Sequence, residues 1–300
     1  MRSPVLNRHI HPLPTGGAAG GTTIRRRADP DFSLMPWLFP ARLRPHVTAF
    51  GRFVRLAHGI AHNAFLSHEE RLHHLATLDA AIGGDEAEPP EFPGAEPICA
   101  ALRASLRTSG VADTHVRRIL QALRRDVEGG ANRSWGDLLV YSQFAAAPIG
   151  RHMLDLVGED SRSYRPASDA LCAALGILKQ LRDFREPTLH DNRHWVPEIF
   201  LADAFITHEH LGALRAKGQT RAVLDRILDG IEQLLNAAEP LPRHVRSWRL
   251  RSHIRVVQCR ARGLVACFRD NDPLDARVGL TWWQRQVCLG AGLIRGLVNT

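Results

Sequence analysis

Lysine is almost missing from this chain. Lys179 and Lys217 are the only two, and arginine supplies the remaining basic charge behind a formal net charge of +8. Such an excess has three readings: nucleic acid, an anionic membrane surface or phosphate ligand, or a GC-rich genome. The arginines are spread over the whole chain and no basic stripe carries interleaved aromatics, which argues against nucleic acid. Long apolar runs are absent too. None approaches the roughly 20 residues that span a bilayer, and the first thirty residues lack the apolar stretch of a secretory signal. The five cysteines, Cys99, Cys172, Cys259, Cys267 and Cys288, show neither CxxC nor CxH spacing. They read as free, mostly buried thiols in a reducing cytoplasm. Strand-type alternation of Val, Ile and Thr is nearly absent, which leaves little room for a sheet.

What is present is helical periodicity. Residues 1–30, rich in Gly, Pro, Thr and Arg, read as a disordered leader, with Arg25-Arg26-Arg27 as its one basic cluster. Residues 31–300 read as a single helical domain. Apolar residues recur at i, i+3, i+4 and i+7 over about ten runs: 42–63, 67–82, 98–108, 113–128, 136–157, 167–185, 198–215, 219–238, 243–268 and 281–297. Ser67 before Glu69 and Glu70 predicts an N-cap with an acidic first turn. Ser168-Asp169 reads as the opening of another helix. Gly83-Gly84, Gly129-Gly130, Pro166, Pro187, Pro240 and Pro242 punctuate the runs, and the acidic stretch 85–97 reads as a loop. The fold class is all-α.

Three segments, in order, carry a resemblance. Phe39-Pro40-Ala41-Arg42-Leu43-Arg44-Pro45-His46-Val47, followed by Arg55, resembles "LPxRLRPxV…FxR". Asp137-Leu138-Leu139-Val140-Tyr141 through Pro148-Ile149-Gly150-Arg151 resembles "DLLDYC…PVGR". Ser168-Asp169-Ala170-Leu171-Cys172 through Asp183, then Arg193-His194-Trp195-Val196-Pro197, resembles "SDAxCxALQLxNFxxDxxxD…GRxYLP". The order and spacing are similar to those of the squalene/phytoene synthase family, on its hydroxysqualene synthase branch, over about nine-tenths of the chain. The resemblance implies an isoprenoid-synthase helical bundle around a central cavity. It also implies chemistry on farnesyl-derived diphosphates, with Mg²⁺ held by two aspartate-rich motifs on facing helices. Hard Mg²⁺ needs oxygen ligands and bridges diphosphate oxygens. Ionisation leaves pyrophosphate whose charge metal and Arg must neutralise.

The motif positions hold other residues. Where the first motif is Asp-rich, this chain has Ala57-His58-Gly59-Ile60-Ala61-His62-Asn63. His58 and His62, four apart, fall on one helix face. Such a pair suits Zn²⁺ better than Mg²⁺, but no acidic helper lies nearby, and a polar lining left by lost carboxylates is the simpler reading. At the second motif stand Gly176, Lys179, Asp183 and Pro187, with Glu186 as a partial substitute for the last aspartate. Pro187 is expected to end the helix a turn early. Lys179 and Asp183 form either an ordinary i,i+4 surface pair or an ammonium filling a lost metal's place; both readings stand open.

The resemblance makes Asp183, Glu186 and Tyr141 the catalytic candidates and Arg55, Lys179 and Arg193 the substrate-binding ones. Arg151 is expected to fix the facing helices, and Asp126 and Asp137 read as cap or surface residues. Three functions remain. The chain is a degenerate relative that keeps a prenyl- or diphosphate-binding cavity, with no cofactor; or an active, Mg²⁺-dependent synthase making hydroxysqualene from presqualene diphosphate; or a non-enzymatic partner or assembly factor of a homologous synthase. The expected location is the cytoplasm, with peripheral contact at the inner membrane face and no nucleic-acid partner.

Overall fold

The computed structural model describes residues 34–83, 89–159, 164–183, 195–212, 215–275 and 278–298. Among them there is no strand. The helices are α1 (Arg44–Ala61), α2 (His68–Ala81), α3 (Glu96–Ser109), α4 (Thr114–Val127), α5 (Trp135–Ala145), α6 (Ala147–Val157), α7 (Arg165–Arg182), α8 (Glu198–Asp203), α9 (Gln219–Ala238), α10 (Leu241–His244), α11 (Trp248–Asp270) and α12 (Trp282–Val298). The periodic runs thus become helices nearly end for end. Ser67 caps α2 as a full capping box: its hydroxyl accepts from Glu70 N–H at 3.1 Å while Glu70 accepts from Ser67 N–H at 2.7 Å. Asp137 does the same for Ser134 at the start of α5.

Two runs break where periodicity gave no warning. The run 136–157 divides at Ala146, whose φ of −116° leaves the helix just before α6 starts at Ala147 with Pro148 in its first turn. The run 198–215 keeps only α8 and a short 3₁₀ turn at His208–Gly212, because Phe205 takes a left-handed φ of 55° between them. The leader 1–30 lies outside the described residues.

The packing order positions the motif helices. Helix α4 packs on α1 and α2 with one side and on α5 and α6 with the other; α5, α6, α9 and α11 carry α7. The main partners of α1 are α2, α3 and α4. Leu171, Ala174, Leu178 and Leu181 of α7 and Val223, Leu224, Ile227, Leu228 and Ile231 of α9 are buried in one continuous core. No helix among the described residues is long and apolar enough to cross a membrane.

One core residue predicts a pH effect. The His152 ring on α6 stacks on Phe50 of α1 at 3.9 Å and 8°, and neither ring nitrogen has a protein partner. Burial, helped by His115 and His46, pushes its pKa down from 6.5 to about 3. The folded state therefore holds His152 neutral while the unfolded chain takes up a proton below pH 6.5. Its contribution is intact above that pH and lost as pH falls from 6.5 toward 3. At pH 4.5 the loss is roughly 3 kcal/mol. His152→Phe keeps the ring stack, so the variant is expected to match the parent near pH 7.5 and exceed it by about that amount at pH 4.5. Urea melts at the two pH values check this; equal parent–variant differences at both would refute it.

Candidate active site

Helix α1 delivers its motif residues at its C-terminal end. His62 caps the helix, its N–H donating to His58 O at 3.1 Å, and the two imidazoles lie 5.9 Å apart, 23° from parallel. The i,i+4 spacing thus does put both rings on one face. Gly59 between them is exposed, and a Cβ there would meet nothing within 4 Å. Arg55, one turn earlier on the same side, is exposed and folds back toward Gly51. Burial of part of its stem and neighbouring Arg52 lower its pKa.

Helix α7 ends at Arg182, with Asp183 as its cap, five residues ahead of Pro187. Lys179 Nζ donates to Asp183 Oδ2 at 2.6 Å, and Arg182 Nη2 stands 3.8 Å from the other oxygen. Both Lys179 and Asp183 are half-buried. Gly176 has a packing reason: its Cβ would sit 3.2 Å from that of Ala146, where α7 crosses the α5–α6 corner. Glu186, Pro187 and Arg193 lie outside the described residues.

Tyr141 joins two helices. Its buried hydroxyl donates to Asp126 Oδ2 on α4 at 2.6 Å, and the Arg125 guanidinium lies 5.2 Å from its ring centroid. Burial and the Asp126 charge hold the phenol well above its ordinary pKa. Asp126 corrects the sequence reading of it as a cap or surface residue. Its carboxyl is enclosed against Tyr141, and burial raises its pKa to about 6, against the opposing pull of Tyr141 and Arg125. The signal was available in the sequence: Asp126 falls seven residues after Ile119 and three after Leu123, on the buried stripe of α4. The Tyr141–Asp126 hydrogen bond thus ties α5 to α4.

Magnesium, which the resemblance implies, does not fit the described residues. The α1 face offers imidazoles where hard oxygen ligands are needed, and Asp183 already bears an ammonium. Among the described residues no group of three or more His, Cys, Asp and Glu side chains is placed to share a metal. A cleft of about 380 Å³ lined by Ile82, Arg103, Leu106, Arg107 and Val111 lies away from these motif residues.

Comparison with known proteins agrees on the family. The family model for squalene/phytoene synthase matches residues 25–285. The chain is 32% identical to a hydroxysqualene synthase of Sinorhizobium fredii over 251 residues, covering 84% of this chain and 83% of the relative. Among solved structures it is similar to squalene synthase HpnC from Alicyclobacillus acidocaldarius (TM-score 0.64, 23% identity, 78% and 86% of the two chains). It is also similar to a dehydrosqualene synthase in complex with ligand (TM-score 0.68, 16% identity, 87% and 90%). At those identities the two structures speak for the fold, an isoprenoid-synthase-type helical bundle. The family model and the Sinorhizobium relative, each covering most of the chain, show that this protein belongs to the squalene/phytoene synthase family.

Proposed function

We propose that this chain is a catalytically degenerate family member of isoprenoid biosynthesis, which binds a farnesyl-derived diphosphate or polyprenyl ligand without ionising it. The observation that carries this reading is the Lys179–Asp183 pair at 2.6 Å. The one carboxylate left among the described second-motif positions is neutralised by a side chain of the same helix. Together with His58 and His62, this leaves a site short of the anionic ligands that would gather Mg²⁺. Lys179 and Arg55 supply positive charge for a diphosphate instead. Peripheral contact with a membrane face accompanies this reading, since such ligands partition into lipid.

The second reading, an active hydroxysqualene synthase acting on presqualene diphosphate, is favoured by the 32% identity to a protein of that name. Incubation with presqualene diphosphate, with and without Mg²⁺, separates the two. The expected result is no pyrophosphate and no hydroxysqualene in either case. A thiodiphosphate analogue at about 100 times its Kd should nonetheless stabilise the fold by roughly 2.7 kcal/mol, read as a rise in Tm. Turnover would establish the second reading; neither turnover nor stabilisation would remove both.

A further inference from the structure

Helices α11 and α12 run antiparallel with their backbones almost touching. A Cβ on Gly296 would stand 2.6 Å from Ser252 Cα, and one on Gly292 2.9 Å from Val256 Cα. At the other end of the seam, a Cβ on Gly263 would stand 2.9 Å from Leu280 Cδ2, just ahead of α12. Ser252, Val256 and Gly263 thus mark the face of α11 that meets α12. Cys259, three residues after Val256 and four before Gly263, lies on that face. On α12, Cys288 continues the buried stripe of Gly292 and Gly296 by one turn. Gly296 meets Ser252 and Gly292 meets Val256, so Cys288 comes opposite the next turn of α11, which carries Cys259 and Arg260.

Two cysteines can be bridged when their Cα atoms lie roughly 4.4–6.8 Å apart, and helices this close reach that range one turn along the seam. The two thiols differ in access: Cys259 is half-buried, whereas Cys288 is buried. The Cys288 thiol, joined by the Arg295 and Arg260 charges, pulls the Cys259 thiol down to about 7 against the effect of burial. An appreciable fraction of Cys259 is therefore thiolate, the reactive form, at neutral pH. Burial instead pushes the Cys99 and Cys172 thiols up to about 11 and about 12, which keeps them protonated and inert.

We propose that Cys259 and Cys288 form a peroxide-sensitive dithiol whose oxidation to a disulfide locks α12 onto α11. The Cys259 thiolate attacks one oxygen of hydrogen peroxide. The O–O bond breaks, Cys259 becomes a sulfenic acid, and the departing hydroxide takes up a proton to leave as water. Cys288 then loses its proton and attacks the Cys259 sulfur. The S–S bond forms, the S–O bond breaks, and a second water leaves. Two electrons pass from the two thiols to the peroxide. A dithiol reductant reverses the change, as suits a disulfide formed transiently among reduced thiols. Helix α11 packs on α7 and α9, so the bond fastens the last helix to the helices of the core. The site stands whether or not the chain turns substrate over.

The test treats the reduced full chain with hydrogen peroxide at neutral pH, alkylates the remaining thiols under denaturing conditions and maps the peptides by mass spectrometry. The expected result is a peptide pair joined through Cys259 and Cys288, released by dithiothreitol, with Cys99, Cys172 and Cys267 alkylated. In Cys288→Ser the sulfenic acid has no thiol to resolve it. Dimedone present during the same treatment should then label Cys259 at least about tenfold more than in the parent, with circular dichroism unchanged. No joined peptide in the parent, or Cys259 joined to a different cysteine, overturns the proposal. So does equal dimedone labelling of parent and variant, which would mean that Cys288 does not resolve Cys259. Should Cys288→Ser fail to fold, the peptide map of the parent decides alone. Loss or gain of turnover on presqualene diphosphate moves none of these readouts.

Discussion

The combined variant His58→Asp, Gly59→Asp, His62→Asp, Lys179→Asn and Pro187→Asp is expected to release pyrophosphate from presqualene diphosphate in a Mg²⁺-dependent way, at a rate on the order of 10²-fold or more above the parent. Each single restoration should add little, because ligands that share a metal act as a unit. The structure removes the obvious steric objections on α1. Gly59 opens onto free space, and His58 and His62 already share a half-buried face. Lys179→Asn matters for a different reason: it frees Asp183 from the 2.6 Å ion pair that competes with any metal. Gly176 stays as it is, since a longer side chain there would push against Ala146. Pyrophosphate release and calorimetric Mg²⁺ binding, measured on parent, single and combined variants, check the expectation. A parent rate on the order of 1 s⁻¹, typical of enzymes, would sink it. Asp183, Glu186, Lys179, Arg55 and Arg193 would then be the working set.

The helices were legible because amphipathic periodicity and caps are local signals. Ser67 with Glu70, and the runs that became α2, α4, α9 and α12, needed nothing beyond neighbouring residues. The misses have non-local causes. Phe205 takes its left-handed backbone with no Gly or Asn to announce it. Gly176 looked like a lost motif ligand, but its size answers to Ala146, thirty residues away. Asp126 was passed over although it shares the buried stripe of α4, because its partner Tyr141 belongs to another helix. Asp169 looked like part of a helix start. It lies instead inside α7, which begins at Arg165, and its carboxylate is turned inward.

Asp169→Ala is expected to cost about 3–5 kcal/mol, because it strands a buried guanidinium. Arg151 on α6 grips Asp169 on α7 with two bonds, Nε to Oδ1 at 2.9 Å and Nη2 to Oδ2 at 2.6 Å, and the two side chains are only 12% and 11% exposed. The same Nη2 donates to Gln143 Oε1 at 2.6 Å, which brings α5 into the joint. The pair sits where α6 and α7 approach most tightly: a Cβ on Gly150 would lie 2.6 Å from Cys172 Sγ and 2.8 Å from Ser168 Oγ. Water has little room to enter and solvate the orphaned charge. A fall in Tm of roughly 10 °C follows from that cost in a domain of this size. The control is Arg151→Met/Asp169→Leu, which removes both charges and should return close to parent stability, since an apolar pair avoids the desolvation cost altogether. If the single variant is as mild as the double, Arg151 is solvated in solution and does not tie the helices together. If the double is as harmful as the single, packing rather than charge holds the joint. The expected split between them makes this ion pair a positioning device: it fixes the N-terminal half of α7 against α5 and α6, and so sets the direction in which Lys179 and Asp183 leave the core.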